Sequence, residues 1–73
     1  MERITIDPDI CNGRPTIAGT RITVQTILEF LSAGDSSEAI LAEFPSLTPE
    51  DIQAALAFAS KLMGNRFTLE HVA

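Results

Sequence analysis

Seventy-three residues with a formal charge of −5, from five Lys and Arg against ten Asp and Glu, are sized for one domain and lack the basic excess with which a free-standing nucleic-acid binder releases counterions from phosphates. A chain this short buries only ~60% of the surface it exposes when unfolded. With no Trp or Tyr and four Phe, its core has to come from Ile, Leu, Ala and Phe, and a homodimer is the expected way to complete the burial. Cys11 stands alone, which excludes an internal disulfide and a cysteine-based zinc site. The first residues carry no leader pattern and no run of roughly 18 apolar residues occurs, so the expectation is a cytoplasmic protein without membrane contact.

In chain order, Ile4-Thr5-Ile6 alternates apolar and polar side chains and stops at Asp7-Pro8, where proline has no N–H to give a ladder; residues 3–7 read as an edge strand. Residues 15–17 and 21–23 flank Ala18-Gly19, and a glycine there supplies the positive φ of a tight reversal, which predicts a second, short hairpin. Thr23 then caps a helix over residues 24–33 that Gly34 closes, with Ile27, Leu28 and Leu31 on one face. Asp35-Ser-Ser-Glu38 has the form of a capping box and opens a second helix through Ala39, Ile40, Leu41 and Phe44, which Pro45 stops.

The third helix starts at Thr48-Pro-Glu-Asp51, which combines a cap, a proline at the first helical position and acids beside the positive end of the dipole. Ile52, Ala55, Leu56, Ala59, Leu62 and Met63 recur along it at helical intervals until Gly64 ends it. The tail alternates weakly at Phe67 and Leu69 and reads as a strand, an arm across a partner or a frayed end. The expected fold is mainly α: a three-helix, helix-turn-helix-like domain with a short N-terminal β element. Residues 1–73 are one domain in this reading, with the β element over 3–23, the helical core over 24–63 and the tail over 64–73.

The step through Phe44-Pro-Ser-Leu47 has helix-turn-helix spacing. A reading helix offers Arg, Lys, Asn, Gln or Ser at its start, whereas this one offers Glu50, Asp51 and Gln53, and carboxylates repel phosphates, so a plain three-helix packing unit is the stronger reading. Arg21, between Thr20 and Ile22 on a short strand, can pair its fork with Asp7, Asp9 or a partner's carboxylate, or can fasten the hairpin to the helices as an internal salt bridge. Arg14, before Pro15 at a turn, is expected to be exposed.

Gly13 and Gly19 are six apart with no Lys-Ser/Thr pair behind them, so they read as turn glycines and not as a phosphate loop. His71 has no neighbouring Cys or Ser for a nucleophile pair. Glu38, Glu43, Glu50, Asp51 and Glu70 are scattered over helix starts and solvent faces. No catalytic, cofactor or metal site is expected, and the chain reads as a non-enzymatic interaction module. The Ala-rich stretch over residues 54–59 permits close helix approach, within the monomer or across a dimer.

Ile6-Asp7-Pro8, Gly13-Arg-Pro15, Ile17-Ala-Gly-Thr-Arg-Ile22, Val24, Gly34, Ile40-Leu41, Phe44-Pro45, Leu47-Thr48 and Asp51-Ile52 with Ala54-Ala-Leu56 together resemble the domain-of-unknown-function family 433, over about residues 4–60. The resemblance implies a small helix-turn-helix-like domain, a VapB-like antitoxin of a bacterial or archaeal toxin-antitoxin pair. Its implied companion is a PIN-like ribonuclease toxin whose acidic metal-binding centre the antitoxin blocks. Gly13, Pro15, Gly19, Thr20, Arg21 and Ile22 match the family pattern, which assigns them no chemical role.

On this reading Arg14, Arg21, Arg66, Phe67 and Leu69 bind the partner, with the arginines pairing with the toxin's metal-binding carboxylates. Either the folded domain holds the toxin or the tail does so in abbreviated form. Arg3, Arg14 and Arg21 would contribute contacts to operator DNA. Two other readings stay open: a stand-alone, dimeric DNA-binding transcriptional regulator, and a non-catalytic adaptor.

Overall fold

Two prolines and a run of turn residues leave the N-terminal segment little room for a ladder, and its strands are two residues long. In the computed structural model, which describes residues 3–64, β1 (Ile4–Thr5) pairs antiparallel with β2 (Thr16–Ile17), Ile4 opposite Ile17 and Thr5 opposite Thr16. The edge strand expected over residues 3–7 is confined to its middle. The chain already reverses at Asp7, whose carbonyl accepts from the Ile10 N–H at 2.9 Å and whose carboxylate accepts from the Asp9 N–H at 2.9 Å. The second hairpin is reduced to a turn and one bridge, Thr16 to Thr23, on the edge of β2 that does not face β1.

The helices follow their capping chemistry. Thr23 accepts from the Thr26 N–H at 3.0 Å and starts α1 (Val24–Ser32). Gly34, at φ 99°, stands where a side chain would be strained, and the Gly34 and Asp35 N–H groups donate to Leu31 and Phe30 carbonyls at 3.0 Å, closing the helix in a Schellman pattern. That closure corrects the capping box expected from Asp35 and Glu38. Asp35 belongs to the end of α1, so the next residue, Ser36, caps α2 (Ser37–Glu43) by accepting from the Ala39 N–H at 3.1 Å. Pro45 follows the last turn, and Leu47 donates back to the Phe44 carbonyl at 2.9 Å, directing the chain into α3 (Pro49–Met63).

α3 packs against α1, α2 and β1. Ile17, Val24, Ile27, Ile40, Leu47, Ile52 and Ala55 form the buried core between them, and Phe30 meets Phe44 edge to face at 5.6 Å on its flank. Ile27 and Ile40 are fully enclosed, so truncating either leaves a hole that so small a body fills poorly. Ile27→Ala should cost ~2–5 kcal/mol, and urea unfolding followed by circular dichroism should show a midpoint sharply below that of the parent, or no cooperative transition at all.

One acid does not sit as the sequence suggests. Asp51, expected at a solvent-facing helix start, is buried. It closes a capping box: the Asp51 N–H donates to the Thr48 hydroxyl at 3.3 Å, and Asp51 Oδ2 accepts from the Thr48 N–H at 2.9 Å. Its Oδ1 accepts from Arg3 Nη1 at 3.0 Å, the one ion pair among the described residues. Burial pushes this carboxyl up, but the Thr48 N–H, the Arg3 guanidinium and the Thr48 hydroxyl outweigh it and hold the carboxyl below its ordinary value.

A carboxylate whose folded pKa lies below its unfolded one adds stability that is complete above the unfolded value of ~3.9 and is lost as pH falls through the folded value. Unfolding free energy should therefore drop as pH falls below ~4, and Asp51→Asn should flatten that part of the profile while lowering stability at neutral pH.

Candidate functional site

The dense run from Asn12 to Ile22 builds two adjoining pieces of surface. The first is a tight turn in which Cys11, Asn12 and Gly13 all have positive φ, at 52°, 58° and 79°. Asparagine tolerates this region; cysteine does so only against strain that the surroundings must hold. They hold it with Gly13 donating to the Ile10 carbonyl at 3.0 Å, Arg14 donating to the Cys11 carbonyl at 3.1 Å, and the Cys11 thiol donating to the Arg21 carbonyl at 3.4 Å.

The second piece is the turn over residues 17–20. The Thr20 N–H donates to the Ile17 carbonyl at 3.0 Å with Gly19 at φ 80°, the pattern of a type II turn. Thr20 stiffens it twice, its hydroxyl donating to the Ile17 carbonyl at 2.8 Å and accepting from the Ile22 N–H at 3.0 Å. Ala18 donates to the Arg3 carbonyl at 2.8 Å, and Ile17 donates to the Ile22 carbonyl at 2.9 Å. Thr20 and Ile22, on either side of Arg21, are thus hydrogen-bonded into the turn, while Arg21 itself is exposed.

Between these pieces and β1 lies a hollow of about 330 Å³ lined by Thr5, Ile10, Thr16, Gly19, Thr20 and Arg21. The buried Thr16 hydroxyl donates to the Thr5 carbonyl at 3.3 Å, so the floor is internally satisfied and Arg21 supplies the charge. The internal salt bridge considered for Arg21 is not formed within the described residues; the arginine that reaches an acid is Arg3. Arg14 is exposed as expected and joins Arg21 only indirectly, through the backbone of Cys11 and its thiol. Arg3 is committed to Asp51 and so differs from the other two. Arg66, Phe67 and Leu69 lie outside the described residues.

Among the described residues no group of three or more His, Cys, Asp and Glu gathers as metal ligands would, and no helix is long and apolar enough to cross a membrane. What the arrangement can do is present a guanidinium fork, on a turn stiff enough to keep its direction, to an anionic group on a partner. The thiol that ties the two pieces together carries no sequence signal beyond a lone cysteine beside a turn.

Residues 4–59 match the family model described as a protein of unknown function, DUF433. Over 67 residues the chain is 39% identical to the uncharacterized protein y4eO of Sinorhizobium fredii (strain NBRC 101917 / NGR234), a match covering 89% of this chain and 30% of that protein. The fold is similar to the crystal structure of a DUF433 member from Anabaena variabilis ATCC 29413, with a TM-score of 0.79 and 36% identity over 81% of this chain and 58% of that one. The chain therefore spans under a third of the curated relative and just over half of the solved one.

The stiffness of the 17–20 turn can be measured. A Cβ at Gly19 would meet nothing within 4 Å, so Gly19→Ala isolates the cost of a left-handed backbone, ~1–2 kcal/mol. Thermal unfolding should show that loss; an unchanged midpoint would mean that the turn relaxes freely and does not hold Arg21.

Proposed function

The chain belongs to the DUF433 family, and from that premise we propose that it is a type II antitoxin, a non-enzymatic module that binds and neutralises a PIN-like ribonuclease toxin in the cytoplasm. The observation that supports this most is Arg21: exposed, without an acidic partner among the described residues, and set on a turn whose neighbours are hydrogen-bonded on every side. A ribonuclease centre that binds a divalent cation gathers carboxylates. A guanidinium matches paired carboxylate oxygens bidentately, so Arg21 would take the place of the cation, with Arg14 beside it and Arg66 added from the sequence. Phe67 and Leu69 would supply apolar contact from the same segment as Arg66.

A contribution to autoregulatory operator binding belongs to this reading, through Arg14 and Arg21 and the helix-turn-helix-like step from α2 to α3. The exposed start of α3 carries Glu50 and Gln53, and Arg3 is engaged by Asp51. Duplex binding is therefore assigned to the assembled complex and not to this chain alone.

The test is co-expression with the product of the adjacent open reading frame, followed by a ribonuclease assay. A stoichiometric complex with suppressed cleavage is expected. The triple variant Arg14→Glu, Arg21→Glu, Arg66→Glu should weaken the complex at least ~30-fold, as reversal of buried interfacial charge does. Undiminished inhibition by that variant would end the cation-displacement mechanism, and failure to form any complex would end the antitoxin reading. Duplex binding by the chain alone that weakens steeply with salt would instead favour a stand-alone regulator.

A further inference from the structure

α3 outruns the body that buries it. Its apolar face begins inside the core with Ile52 and Ala55 and continues at helical spacing through Ala59 to Leu62 and Met63, which are 47% and 70% exposed. α1 is nine residues long against fifteen for α3, so the last turns of α3 project past the cover that α1 provides. Between the start of α1 and this overhang runs a groove of about 220 Å³, walled by Pro15, Val24 and Leu28 on one side and Phe58, Leu62 and Met63 on the other. Gln25 is the one polar side chain lining it, and its amide is drawn along α1 to Glu29 at 3.2 Å.

Among the described residues no acid lines this groove, which matters in a chain of charge −5: it is a face on which two copies can meet without pressing these carboxylates together. The charges nearby are of opposite sign. Lys61 is exposed on α3 next to Leu62, and Glu29 is exposed on α1 within reach of Gln25. A two-fold axis makes such an arrangement self-complementary, because each copy offers both an overhanging apolar helix end and a groove to receive one, with Lys61 of one copy approaching Glu29 of the other.

We infer that the groove between α1 and α3 is the seat of a second copy of this chain, and that Leu62 and Met63 of each copy fill the groove of the other. This gives the homodimer expected from composition a definite face, and it stands whether or not the antitoxin reading does, since it uses neither Arg14 nor Arg21.

Sedimentation equilibrium on the full chain tests it. The expected mass is twice 7.9 kDa. Leu62→Glu and Met63→Glu should each raise the dissociation constant at least ~10-fold by burying an unpaired charge. Met63 is exposed enough that its replacement leaves the fold intact by circular dichroism even if Leu62→Glu does not. Ala42→Glu, on the exposed side of α2 away from the groove, should leave the dimer unchanged. A parent chain that stays monomeric at ~100 μM, or a dimer indifferent to Met63→Glu, overturns the inference. A monomer that dimerises only once residues 65–73 are removed also overturns it, since the chain's own following segment would then be the occupant.

Discussion

Three parts of the chain meet at the Asp51 carboxylate, and the placement of everything N-terminal to the helices depends on it. A buried carboxylate is costly unless its oxygens are satisfied, and here one is taken by the Thr48 N–H and the other by Arg3. The same residue closes the first turn of α3 and sits at the positive end of that helix's dipole. β1 and β2 are two residues each, too little ladder to hold a ribbon together in water. What fastens the β element to the helices is the apolar packing of Ile4 and Ile17 together with this single charged clasp.

The clasp reaches further than its own contacts. Arg3 gives its side chain to Asp51 and its carbonyl to the Ala18 N–H. The turn that presents Arg21 is thus one residue's breadth from the start of α3, joined by two successive hydrogen bonds. From the other side the same turn is held by the Cys11 thiol on the Arg21 carbonyl, at the cost of left-handed backbone at Cys11 and Asn12. An exposed arginine on a mobile loop would lose its freedom on binding; one whose backbone is already fixed from both sides loses only its side-chain rotamers. The strain at Cys11 is therefore intelligible as part of what aims Arg21.

Local chemistry made much of this legible in the sequence. Thr23, Gly34, Pro45, Thr48 and Gly64 each act within one turn of themselves; α1 and α3 begin and end, and α2 ends, where those residues place them. The start of α2 moved by one residue because Asp35 is claimed by the preceding helix, a competition that reading each cap alone does not register. The arginines were harder. Whether Arg3 or Arg21 finds an acid depends on which is carried within reach of an inward-turned carboxylate, and that is fixed by the packing of β1 on α3. The burial of Asp51 was hidden for the same reason, since an acid in a first helical turn is equally at home in solvent. The positive φ at Cys11 has no local signal at all, because nothing in the side chain favours it.

The acidic balance of the chain constrains the proposed partnership in a particular way. Glu38, Glu50 and Asp51, three of the ten acids, lie in the first turns of their helices, where the dipole stabilises them. At ~0.15 M salt the field of a charge fades over ~8 Å, and the guanidinium decides the interaction at contact while the net charge decides it at a distance. In the proposed complex a chain of −5 approaches a toxin centre that is itself rich in carboxylates, so long-range steering opposes the encounter. Tight inhibition then has to come from a slow departure rather than a fast arrival, and a guanidinium whose backbone is already fixed would favour slow departure. The rigidity of the residue 11–21 surface is the feature that, in the proposed complex, would let an acidic protein hold an acidic partner.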